Sequence, residues 1–147
     1  MRALLDKLPL WAAALWWGSL STLGFLVVPL LFVHLPSPAM AGALAAKLFT
    51  AQTWVSVACG ALLLLAARPR DGEADVGSPL QGARLFIVGG LLLALLLEFA
   101  VAPRIVAREN LALWHRLGTA MYLVQWGCAV LTFWRLASTR RGQSTPA

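Results

Sequence analysis

The chain is short of charge. Of its 147 residues 12% are Asp, Glu, Lys or Arg and only 6 are acidic, against 60% hydrophobic residues and a mean hydropathy of +0.76. A soluble domain carries about 25% charged residues spread over its surface. Here the charges cluster between apolar runs, which excludes an ordinary soluble core and makes lipid the solvent for most side chains. Cysteine is scarce too. Cys59 and Cys128 lie apart within apolar runs, so there is no CxxC pair to build a zinc site or a thioredoxin-like centre. With 2 histidines in the chain, no Ser or Cys has a His and a carboxylate at a hydrolase spacing. No catalytic residue and no metal ligand set is therefore nominated.

What the chain does have is long apolar runs. Four of them, at about 8–33, 47–66, 85–106 and 112–136, reach the roughly 20 residues that a helix needs to cross about 30 Å of hydrocarbon. The N-terminal run far exceeds the roughly 7 to 15 apolar residues of a signal peptide and reads as a retained first span. Pro29 is its expected kink. The second span has an earlier start available, because Ser37 followed by Pro38 is a good cap and first-turn pair; Lys47 then lies inside a helix. No internal repeat stands out.

The fold expected is all-α: an integral membrane four-helix bundle of one domain, 1–136, with antiparallel up-down connectivity. Arg2, Lys7, Arg68, Arg70, Arg84, Arg135, Arg140 and Arg141 fall on one side; Lys47, Arg104, Arg108 and Arg116 fall on the other. The positive-inside rule then puts both termini and the 67–84 loop in the cytoplasm, and for a bacterial source the membrane is the inner one. That arrangement also explains the net charge of +6 without nucleic acid, since no basic groove or stacking platform accompanies it. The acidic trio Asp71, Glu73 and Asp75 reads as solvated loop, and 137–147 as a disordered polar tail. Trp11 and Trp134 at one interface and Trp114 at the other sit where membrane anchors belong.

One carboxylate, Glu98, lies well inside the run "RLFIVGGLLLALLLEFAVAPRIV". Insertion alone does not demand a partner for it. A central ionisable residue costs about 2.5 to 3.5 kcal/mol and each Leu returns about 0.3 to 0.6 kcal/mol, so neighbouring leucines nearly cover it. Orientation says more. Gly90, Ala94, Glu98 and Ala102 form a narrow stripe at spacing four, mostly of small residues, which places Glu98 on a helix-packing face. The fourth helix carries a matching face of His115, Gly118, Thr119, Tyr122, Gln125 and Trp126. A short turn at "ARENL" makes the two helices neighbours, so Tyr122 and Gln125 are the expected donors to Glu98, and the three form a polar bundle interior. Gly18, Ser21 and Thr22 on the first helix and Gln52, Ser56 and Gly60 on the second make further small or weakly polar faces, which more often pack helices than bind ligands.

The segments "WWGSLSTLGFLVVPLLF", "LPSPAMAGALAAKLF", "WVSVACGALLLL", "APR" and "WHRLGTAMYL" together resemble the transmembrane protein 205 family, known in bacteria as domain of unknown function 4149. The resemblance covers about 11–136. It implies a four-helix integral membrane protein with no established activity, some eukaryotic members being associated with drug resistance. Lys47, Leu48, Phe49, Pro103, Arg104, His115 and Gly118 match the family pattern, which suggests an outer-side cluster of Lys47, Arg104 and His115, with Arg116 beside it. This chain has almost no segment between its third and fourth helices, unlike longer members.

Two functional classes follow. The first is a non-enzymatic membrane protein whose polar interior binds or moves a small solute or assembles with a partner, its surroundings being the bilayer and copies of itself. The second is a membrane haem or redox protein using His34 and His115 as axial ligands on the same side. The first needs no cofactor; the second fails if either histidine is lost.

Overall fold

Four stretches in the computed structural model, which describes residues 7–68 and 79–141, are helices long and apolar enough to cross a membrane. They are α1 (Leu8–His34), α2 (Pro38–Ala66), α3 (Leu80–Val106) and α4 (Leu111–Ser138), the last continuing as helical backbone to Arg141. No strand is formed among the described residues.

The ends follow local chemistry. At the start of α2, Ser37 is extended and its hydroxyl accepts from Met40 N–H at 3.3 Å, while Pro38 fills a first-turn position where no N–H is needed. The helix therefore begins nine residues ahead of Lys47. The backbone is already helical at Pro79, so the end of the expected 67–84 loop is helix; Asp71, Glu73 and Asp75 lie outside the described residues. Likewise the helix runs past Leu136 into the expected tail, and 142–147 lie outside the described residues.

Both odd-numbered helices are interrupted in the same way. A π-turn spans Leu23–Val27 in α1 and another spans Leu97–Val101 in α3. In each the following N–H reaches five residues back, Val28 to the Leu23 carbonyl and Ala102 to the Leu97 carbonyl. The sequences match: Leu23, Phe25, Val27 and Pro29 in one, Leu97, Phe99, Val101 and Pro103 in the other. The proline explains the turn. It has no N–H to give, and its ring collides with the carbonyl four residues back unless the preceding turn widens. The Pro29 distortion thus sits ahead of the proline, and the pattern Leu-x-Phe-x-Val-x-Pro is a short internal repeat of two proline-widened turns.

Packing inverts the soluble pattern. Buried positions are mostly small, with Ala13, Ala41, Ala83 and Ala129 at 0% exposure, whereas large apolar side chains such as Trp11, Val33, Leu85, Phe99 and Val106 face outward. α1 packs on α2 and α4, and α3 packs on α2 and α4, so contact runs round a ring. Trp16 fills the middle: it is fully buried, and a Cβ on Gly90 would lie 2.7 Å from its ring. Gly60 accommodates Leu91 in the same way. Small residues let the backbones approach, and one indole occupies the space they leave.

Candidate functional site

Glu98 lies in the π-turn of α3, partly buried, and its Oε1 accepts a hydrogen bond from Thr50 Oγ1 of α2 at 2.9 Å. Oε2 makes no hydrogen bond or ion pair among the described residues. The expected donors on α4 are engaged elsewhere. Tyr122 donates to the Leu20 carbonyl of α1 at 2.8 Å, and Gln125 donates to Ser56 Oγ of α2 at 3.2 Å. The reason is helical drift. Four residues turn a 3.6-residue helix by about 400°, so a stripe at spacing four slides round by about 40° per step. The side chains that meet α4 beside Gly118 are Leu97, Val101 and Ile105, each within 4 Å of a Cβ placed there. Glu98, one position on, is rotated toward α2.

A chain of buried hydrogen bonds runs between the helices, and Glu98 is not joined to it. Gln52 Nε2 donates to Ser19 Oγ at 2.9 Å, Ser56 Oγ donates to the Gln52 carbonyl at 3.0 Å, and Gln125 closes the chain onto Ser56. Beside it, Trp126 Nε1 donates to Ser21 Oγ at 2.9 Å. These bonds join α1, α2 and α4. Gln52, Ser56 and Gln125 are all buried, at 8%, 0% and 2% exposure, and each satisfies another. Ser19 and Thr50 were not singled out by sequence; both are short hydroxyl residues whose value depends on which helix lies opposite. Two buried donors, the indole N–H groups of Trp16 and Trp17, have no partner among the described residues.

Tyr122 has a second role at the other π-turn. Its hydroxyl bonds the Leu20 carbonyl and lies against the Gly24 backbone N–H, and a Cβ on Gly24 would sit 2.6 Å from the ring. A side-chain hydroxyl thus occupies the place where the helix ladder of α1 opens. Phe49 of α2 packs edge-on against the same ring at 5.4 Å between centroids.

The expected outer-side cluster is not joined by side-chain bonds among the described residues. Lys47, Arg104, His115 and Arg116 are all exposed, and no hydrogen bond or ion pair links them among the described residues. Arg104 instead lies 4.5 Å over the ring of Trp114. His34 Nδ1 is 3.0 Å from the Leu30 carbonyl of its own helix, and His115 is exposed with its carbonyl taken by Thr119. The two free cysteines are not joined. At the opposite end, Arg135 reaches across from α4 to the Gly82 carbonyl at 2.8 Å and lies 5.1 Å from the Phe86 ring.

A family model described as Domain of unknown function (DUF4149) matches residues 11–113, more than half of the chain. The chain belongs to this family. The DUF4149 match spans nearly all of α1, α2 and α3 and ends as α4 begins, so it includes Thr50, Glu98, Gln52 and Ser56 and leaves out Tyr122 and Gln125. No curated protein and no solved structure matches the chain.

Proposed function

We propose that this DUF4149 member is a multi-pass integral membrane protein that acts, without catalysis, by assembling in the plane of the membrane through the α2–α3 seam at Glu98. The helices alternate in direction, both termini face the cytoplasm, and kinship extends to the eukaryotic transmembrane protein 205 proteins. The observation that carries the reading is the half-used carboxylate: Thr50 holds Oε1, and Oε2 is left open.

Lys47 supplies the complement. It lies three residues before Thr50, on the same outward side of α2, exposed and without an acidic partner among the described residues. Glu98 is eight residues from the end of α3 and Lys47 nine from the start of α2, about 12 Å and 14 Å along their helices at 1.5 Å per residue. Antiparallel neighbours then carry both charges at one depth. In a two-fold pair the same patch meets itself, so Glu98 of one copy faces Lys47 of the other and the pairing occurs twice. Unpaired charges within a membrane are costly enough to favour such pairing. The interior network, by contrast, spends its donors on its own acceptors, which supports a packing role for it over a solute path.

The test is the monomer–dimer equilibrium of the full chain in detergent and in nanodiscs. Glu98→Gln and Lys47→Gln should each weaken dimerisation about tenfold or more, roughly 1.4 kcal/mol. The exchanged pair, Glu98→Lys with Lys47→Glu, should restore it. A wild-type chain that stays monomeric at membrane-like concentrations, or a dimer indifferent to both substitutions, sinks the reading.

A further inference from the structure

At the other end of the α2–α3 seam, a crevice of about 500 Å³ is lined by Ala61, Leu64, Leu65, Arg68, Arg84 and Val88. Its composition is divided by depth. Arg68 stands just beyond the end of α2, and Arg84 lies near the start of α3. Ala61, Leu64 and Leu65 lie deeper along α2, and Val88 one turn deeper along α3. Ala61 is about 10 Å below Arg68 at the helical rise. The mouth is cationic and the walls are apolar.

The two arginines have no neutralising partner among the described residues. Both are exposed, and neither guanidinium makes a hydrogen bond, ion pair or ring contact among the described residues. Arg135 at the same end is different: it bonds the Gly82 carbonyl and lies over Phe86. One arginine thus ties α4 to α3, and two are left at the α2 side of α3. The crevice is open on its outer side, with Leu65 57% and Val88 48% exposed, so it is entered from the hydrocarbon and not from an enclosed interior.

We infer that this crevice binds one anionic glycerophospholipid, its phosphate held between Arg68 and Arg84 and an acyl chain lying along Leu64, Leu65, Ala61 and Val88. Guanidinium groups match phosphate oxygens in bidentate geometry, which a zwitterionic headgroup shields with its own cation. Apolar walls below the cations hold a chain and give a soluble anion nothing to add. On the positive-inside reading this end faces the cytoplasmic leaflet, where anionic lipids gather around basic pockets between helices. The inference rests on the membrane embedding and positive-inside orientation of the proposed reading; the Glu98 seam is at the opposite end, and its assembly can fail without affecting this site.

Native mass spectrometry of the detergent-purified full chain tests it, with phosphatidylglycerol, phosphatidylcholine and inorganic phosphate as probes. One phosphatidylglycerol per chain should be retained, at least tenfold more tightly than phosphatidylcholine. Arg68→Gln with Arg84→Gln should weaken it roughly 10- to 30-fold, the increment of two arginines at an anionic surface. Val88→Trp, which fills the wall on an exposed face and keeps both arginines, should lose the lipid as well. Arg104→Gln at the far end should change nothing. Equal retention of the two lipids, indifference to the double substitution, or an equal loss with Arg104→Gln overturns the site. Displacement by millimolar inorganic phosphate overturns the lipid in favour of a free anion.

Discussion

A single hydroxyl decides what Glu98 touches. Thr50 provides the only hydrogen bond to that carboxylate among the described residues, and it does so from an exposed position where lipid offers no substitute. Interhelical hydrogen bonds in membranes average about 0.6 kcal/mol and reach about 1.7 kcal/mol. Thr50→Val, which keeps the shape and removes the donor, should therefore destabilise the chain by about 1 kcal/mol in reversible unfolding from mixed micelles. In a Glu98→Gln background the same change should cost a different amount, since both substitutions act on one hydrogen bond. Glycines separate by the same residue-level reasoning. A Cβ at Gly24 meets the Tyr122 ring at 2.6 Å, whereas at Gly18 nothing lies within 4 Å. Gly24→Ala should cost about 1 to 3 kcal/mol by overpacking, and Gly18→Ala should be neutral or stabilising by up to about 1 kcal/mol from helix propensity alone. Equal effects in thermal unfolding would contradict the contact. That Glu98 belongs to a helix seam was legible from its small-residue stripe. Which seam was not, because spacing four drifts and the choice between two neighbouring helices depends on an angle that no spacing encodes.

Elements show where the chain's irregularities are placed. Pro29 announces a distortion in α1, but the widened turn precedes it, and only the second copy at Pro103 reveals that Leu-x-Phe-x-Val-x-Pro is a unit. Four identities in seven residues are too few to stand out in an apolar sequence; shared backbone geometry is what makes them a repeat. The turn between α3 and α4 is the other irregularity. Arg108 adopts φ 58°, its N–H reaching the Ile105 carbonyl at 3.1 Å and the Glu109 N–H reaching the Arg104 carbonyl at 3.0 Å. This is a Schellman ending with arginine in the left-handed position that glycine ordinarily fills. Asn110 follows at φ 36°, and its carbonyl accepts from Leu113 and Trp114 to open α4. Left-handed geometry costs a side-chain-bearing residue about 1 kcal/mol or more, partly offset by the flexibility glycine adds to the unfolded chain. Arg108→Gly should thus raise stability by about 0.5 to 1 kcal/mol, read as a higher unfolding midpoint in detergent. Asn110→Ala should lower it. The sequence "ARENL" identifies a turn; it does not reveal which residue bears the strain.

At the scale of the molecule, four helices in a ring leave room for few buried polar groups, and Gln52, Ser56 and Gln125 among them are chained together. Composition makes the four apolar helices plain, and the buried stripe of Gln52, Ser56 and Gly60 is visible at spacing four. The connection of that stripe to Gln125 and Ser19 is not visible, because it depends on α2 lying between α1 and α3 and on the rotation of each about its axis. Ser56 is the junction: it accepts from Gln125 and donates to the Gln52 carbonyl with no exposure of its own. Ser56→Ala removes an acceptor and leaves the Gln125 amide, 2% exposed, with an unpaired N–H in the core. An orphaned buried donor costs about 1 to 3 kcal/mol, whereas removing both partners costs much less. Ser56→Ala should therefore destabilise by that amount, and Ser56→Ala combined with Gln125→Leu should be more stable than Ser56→Ala alone. Unfolding of the wild type, Ser56→Ala, Gln125→Leu and the double variant in one detergent reads the difference directly. A double variant whose loss equals the sum of the two single losses would mean that Gln125 and Ser56 do not act as a pair, and that the interior is held by shape alone.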